Sequence, residues 1–134
     1  MKLTIKGLAE IRARLDQVRP AEIMATALSE QAERLADTVR EALSEPQGAG
    51  DHEKPWVRTG ALRDSIAVSA NGLEAAVGSN DPAAAPQEMG TSRIPPRPFL
   101  APAATANAEA IAKAVAEPVV DALRGQATSV TADE

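Results

Sequence analysis

Apolar residues recur along this chain in three helical stretches, with a short alternating centre between the second and the third. Leu8, Ile11, Leu15 and Val18 fall on one stripe and Glu10, Arg12, Arg14 and Asp16 off it, which predicts a helix over 8–18. Ahead of it, Leu3-Thr4-Ile5 alternates as a short strand that Gly7 would end. Pro20 stands where a second helix would begin, at a position that needs no amide donor. That helix is predicted to reach about Ser44, because Ile23, Leu28, Leu35, Val39 and Leu43 mark one face. Ala27, Ala32, Ala36 and Ala42 lie beside them and would let another helix approach closely.

Residues 45–56 carry Pro46, Gly48, Gly50 and Pro55 and read as a mobile loop. Thr59 is an expected N-cap for one helical turn over Gly60 to Asp64, its hydroxyl accepting from an unpaired amide. Ile66 to Ala70 alternates as a strand, Asn71-Gly72 is a hairpin turn in which both residues tolerate positive φ, and Leu73 to Val77 returns until Gly78. Residues 79–98 read as irregular, since Asp81-Pro82 and Ala85-Pro86 disfavour helix and Pro95, Pro96 and Pro98 hold the chain extended. Phe99 should return to the sheet or the long helix. A last helix is expected from about Pro102 to Arg124, with Ile111, Val115, Val119 and Leu123 as its stripe, Pro118 kinking or dividing it and Gly125 stopping it. The tail 126–134 is expected to fray, and no internal repeat is evident.

These elements specify one α+β domain over 1–125, a small antiparallel sheet packed on a long N-terminal helix and a C-terminal helix. Composition adds a constraint. The hydrophobic fraction of 44% has alanine as its largest contributor, and Trp56 and Phe99 are the only aromatic residues. Burying alanine removes little apolar area at roughly 25 cal/mol per Å². The chain is therefore expected to build a thin core that partner subunits complete.

The net charge of −5 argues against gripping a nucleic-acid backbone, where affinity comes from cations meeting phosphates. It is compatible with lining a channel through which DNA slides, because an acidic wall repels phosphates. The absence of cysteine removes disulfides and thiolate metal sites. No apolar run approaches the roughly 18 residues of a membrane span, and Met1 to Lys6 lacks a signal-peptide pattern, so a soluble protein made in the cytoplasm is expected.

Candidate chemistry is sparse. His52, the single histidine, sits between Asp51 and Glu53 in the Gly/Pro loop, which fits a solvated turn better than a metal site. Ser65, His52 and Asp64 make a hydrolase set only on paper, without a nucleophile elbow or oxyanion hole. Gly48, Gly50 and Gly60 lack the Gly-Lys-Ser/Thr of a phosphate loop. No catalytic, cofactor or metal site is expected.

Arg58, Arg63, Arg93 and Arg97 lie in or beside the turns. They are solvated charges, or they pair with Glu88 or Asp64 of a neighbouring copy through the guanidinium fork, or they form a basic rim facing DNA. Trp56 either caps the thin core or anchors an interface.

The order Thr59-Gly60-Ala61-Leu62-Arg63-Asp64-Ser65-Ile66, a hairpin ending Val77-Gly78-Ser79, Glu88-Met89-Gly90-Thr91, and Pro95-Pro96-Arg97-Pro98-Phe99-Leu100-Ala101-Pro102-Ala103 resembles a phage family. It is the minor tail component or tail-completion family of long-tailed phages, typified by gene product ten of HK-type lambdoid phages. The likeness covers 57–103, and the flanking helices fit the family layout. The chain departs from the pattern at 81–86, which lacks the usual aromatic residue, and at Met89, which replaces another.

The resemblance implies a structural protein of the virion neck, assembled in the host cytoplasm. It would form or decorate a ring, six-fold by expectation, that completes the tail and joins it to the head connector. Its partners would be copies of itself and tail-tube, tail-terminator or head-connector proteins, with DNA passing nearby and no membrane. Thr59, Gly60, Leu62 and Ser65 should shape the first turn, Asn71 and Gly72 the hairpin, and Gly90, Thr91, Pro98 and Phe99 the second loop. Trp56, Arg58, Arg63, Glu88, Arg93 and Arg97 are the expected contacts between subunits. The rival readings are a tail terminator or head-closure ring protein and, in another class, a small cytoplasmic regulatory binding module.

Overall fold

The computed structural model describes residues 8–46, 55 and 59–127. Leu3–Ile5, His52, Trp56, Arg58 and the tail beyond 127 lie outside the described residues.

Helix α1 spans Leu8–Gln17 and α2 spans Pro20–Ala42, with Pro20 in the first turn. Between them Arg19 holds a left-handed φ of 47°, and its carbonyl accepts from Glu22 N at 3.1 Å and Ile23 N at 3.3 Å. The buried stripe of α2 is largely the alanine one: Ala27, Ala32 and Ala36, followed by Val39 and, just past the helix, Leu43. Ile23, Leu28 and Leu35 are only partly covered. Small side chains on that stripe let α5, spanning Leu100–Ala127, lie close along α2.

A single turn, α3, spans Ala61–Asp64 and leads into the hairpin β1 (Ile66–Asn71) and β2 (Glu74–Ser79). The strands pair antiparallel in one register, from Ile66 opposite Ser79 to Asn71 opposite Glu74. Ile66, Val68, Ala75 and Val77 lie on the covered face, toward α2. The other face carries Ala67, Ser69, Asn71, Glu74 and Ala76, all exposed, with Gly78 half-buried. A short helix α4 follows at Ala84–Met89.

The α+β class is as expected: a two-stranded sheet rests on the long helix α2, and α5 packs chiefly on α2 rather than on the sheet. Ala36, Val39, Leu43, Ile66, Ala84 and Phe99 form the core, with Leu62, Val68, Val77, Leu100 and Ala103 packed against it. Val39 is the one large side chain fully buried among the described residues.

Several local expectations are corrected. The central pair of the hairpin loop is Gly72-Leu73, not Asn71-Gly72. Asn71 pairs with Glu74 and only Gly72 has positive φ, at 59°, which is the two-residue loop with glycine first. Gly78 does not end β2, which continues to Ser79. Residues 79–98 are not all irregular. Asp81 Oδ1 accepts from Ala83 N at 2.7 Å and Asp81 O from Ala84 N at 3.0 Å, which starts α4. Pro86 then falls in the first turn, where its missing amide costs nothing. Helix α5 begins at Leu100 and passes both Pro118 and Gly125 without dividing or stopping.

Candidate functional site

The motif residues form two linked clusters. In the first, Gly60 rather than Thr59 occupies the N-cap of α3, with φ 80°, and its carbonyl accepts from Asp64 N at 2.9 Å. Thr59 Oγ1 still accepts from Ala61 N, at 3.3 Å. Ser65 Oγ donates to Leu62 O at 2.6 Å and lies 2.6 Å from Ser79 Oγ. With the single Ser65 proton used on Leu62, Ser79 is the donor between them. Ser79 Oγ in turn accepts from Asp81 N at 3.0 Å. This relay ties the turn before β1 to the exit of β2, so Leu62 is held against the core.

Arg63 Nε donates to Asp64 Oδ1 of its own turn at 2.7 Å. That hydrogen bond holds the Asp64 carboxyl below its ordinary range, and the same pair holds Arg63 above its own. Both are therefore partnered within the chain, although the sequence suggested contacts between copies.

The second cluster surrounds the start of α5. Glu88 Oε2 accepts from Phe99 N at 2.8 Å and Leu100 N at 3.0 Å, and Oε1 accepts from Ala101 N at 2.8 Å. One carboxylate thus serves three first-turn amides that have no intrahelical acceptor. Burial pushes its pKa up, but the three amides outweigh this, and the net shift is downward. Within its own chain, both oxygens of Glu88 serve the backbone at the start of α5.

The loop between is equally self-contained. Thr91 Oγ1 accepts from Arg93 N and Ile94 N, Thr91 N donates to Ile94 O at 2.8 Å, and Arg97 N donates to Gln87 O at 2.7 Å. Gly90 has φ 73° and ψ 177°, and a Cβ there would stand 2.8 Å from Pro96 N and 2.9 Å from Ile94 O. Only glycine fits this approach. Pro98 is half-buried and Phe99 is 3% exposed in the core. Arg93 is exposed and Arg97 half-buried.

A cleft of about 270 Å³ lies between the two clusters, lined by Leu43, Thr59, Gly60, Leu62, Arg63 and Gln87 among others. Gln87 Oε1 is buried without a hydrogen-bond partner. Among the described residues no group of three His, Asp or Glu converges to hold a metal ion. The Ser65 hydroxyl bonds to Leu62 and Ser79, and Asp64 to Arg63, while His52 lies outside the described residues.

Sequence reasoning missed Arg40, which donates to Asp37 Oδ1 at 2.7 Å and to Ile66 O at 2.8 Å, joining α2 to the first residue of β1. It named Ser79 and Asp81 but missed the bonds that they make. The Asp-Pro step two residues after Ser79 was the available signal for a structured helix start.

Compared with protein-family models, curated proteins and solved structures, the chain matches none of them.

Proposed function

We propose that this chain is a structural protein of a phage, or prophage-like, neck or tail. It completes the tail and helps to join it to the head connector by forming or decorating a ring. The observation that carries the self-associating part is the incompleteness of the core: between Leu100 and Gly125 no side chain of α5 is fully buried, although this is the longest helix. A 28-residue helix so thinly covered gains little from packing within one copy. The phage assignment rests on the motif order across 57–103. The hydrogen bonds described above agree with it in kind, since these residues direct their side chains at backbone and shape loops rather than converge on a reactive centre. In this reading the protein is not an enzyme and holds no cofactor, and its partners are other copies and tail-tube, tail-terminator or head-connector proteins.

The test is deletion of its gene from the genetic element that encodes it, followed by imaging of the particles released. Separate heads and tails, rejoined when the chain is supplied in trans, are expected. Normally joined, infectious particles would overturn the reading.

A further inference from the structure

The sheet has two strands only, and both of its edges are open among the described residues. The two-residue loop makes Asn71 and Glu74 a mutually hydrogen-bonded pair. Parity then fixes the rest: Ser69–Ala76 and Ala67–Gly78 also bond inward, whereas Ile66, Val68 and Ala70 on β1 and Ala75, Val77 and Ser79 on β2 aim their amides and carbonyls outward. The Arg40 bond to Ile66 O is what this parity requires, and it closes one end of the β1 edge. That leaves Val68 and Ala70 on one edge and Ala75, Val77 and Ser79 on the other.

Among the described residues, nothing guards the rest of these edges. Neither strand contains lysine, arginine or proline, and the one charged residue, Glu74, stands beside the loop. Edges of folded sheets are ordinarily blunted by such residues or covered.

We propose that copies of this chain join edge to edge, β2 of one adding antiparallel to β1 of the next, so that the hairpins of a ring form one continuous sheet. The inference rests on the ring reading above and names the surface by which the ring closes. The occupant is a second copy because the two edges match. Val68 and Ala70 on one edge have the same spacing as Val77 and Ala75 on the other. Continuing the intrachain register sets Val77 opposite Val68 and Ala75 opposite Ala70 of the next copy, apolar against apolar on the α2 side. The same register sets Glu74 beside Asn71 of the next copy, so no like charges meet. Rotation about an axis along the strands keeps neighbouring strands antiparallel and repeats one heterologous contact until the circle closes, leaving no edge.

The test uses Ala75→Pro and Ala70→Pro in the full chain. Each removes an outward amide while sparing the inward ladder, a place where edge strands accept proline. Circular dichroism checks that each variant stays folded, and native mass spectrometry with sedimentation reads association. The unsubstituted chain is expected to assemble, and each variant alone to lose every species above monomer. Mixed together, the variants are expected to form a one-to-one pair and nothing larger, because Ala70→Pro keeps its β2 edge and Ala75→Pro keeps its β1 edge. Dimers of Ala70→Pro alone would replace the proposal with a symmetric β2–β2 contact. Rings from either variant would overturn edge pairing while leaving the ring reading standing. An unsubstituted chain that stays monomeric at every concentration would overturn both.

Discussion

Glu88 offers the sharpest test of how the motif block holds itself together. Replacing it with alanine strips the acceptors from Phe99, Leu100 and Ala101 N–H, bonds of 2.8, 3.0 and 2.8 Å. Shielded hydrogen bonds to a charged acceptor are worth about 1.5–3 kcal/mol each. The carboxylate is only partly buried and the freed amides regain some water, so the sum must be discounted steeply. We expect a loss of about 2 kcal/mol for Glu88→Ala, the upper end of what side-chain helix caps contribute. Glu88→Gln keeps one acceptor oxygen but loses the charge that complements the helix N-terminus, and should cost about 1–2 kcal/mol. The pH dependence separates the charge from the shape. The folded pKa lies below the ordinary value of 4.5. The charge therefore stabilises fully above about pH 4.5, and this contribution is lost as pH falls through the folded pKa. Urea unfolding followed by circular dichroism, at neutral pH and stepwise down through this window, reads it directly. The gap between the unsubstituted chain and Glu88→Gln should narrow as the acid limb is entered. A Glu88→Ala variant within 0.5 kcal/mol of the parent at neutral pH, or a gap that does not change with pH, would refute the reasoning.

Other substitutions probe separate features. Gly90→Ala should destabilise by about 2–4 kcal/mol in the same urea assay, since φ 73° with ψ 177° is a conformation for glycine and its Cβ would meet backbone at 2.8 Å. Phe99→Ala should cost about 3–5 kcal/mol by emptying the centre of a core with few large side chains, enough to unfold a lone copy at ambient temperature. Arg19→Gly should raise the thermal midpoint and stabilise by about 0.5–1 kcal/mol, because φ 47° strains arginine and suits glycine.

The parts of this fold legible in the sequence were those set by periodicity over many residues. Helix α2 shows its start in Pro20 and its face in a stripe from Ile23 to Leu43, and the strands show alternation around an obvious turn. The one-residue shift of that turn was hidden, because Asn71-Gly72 and Gly72-Leu73 both make allowed loops and only the ladder decides between them. Helix α4 was hidden because Pro82 and Pro86 read as breakers, whereas Pro82 precedes the helix and Pro86 stands in its first turn, where a proline breaks nothing. The role of Glu88 was hidden for a different reason. Its partners lie 11 to 13 residues away, and a carboxylate capping a remote helix leaves no local spacing to find. Arg40 escaped notice in the same way, as its bond to Ile66 spans 26 positions.

The segment from Gln87 to Ala101 is fastened at both ends and across its middle, yet Met89 is 73% and Ile94 40% exposed upon it. Such a knuckle is stiff before anything touches it. A surface that meets those two apolar side chains has little conformational freedom left to remove from them, so the association forgoes the usual penalty for freezing a loop.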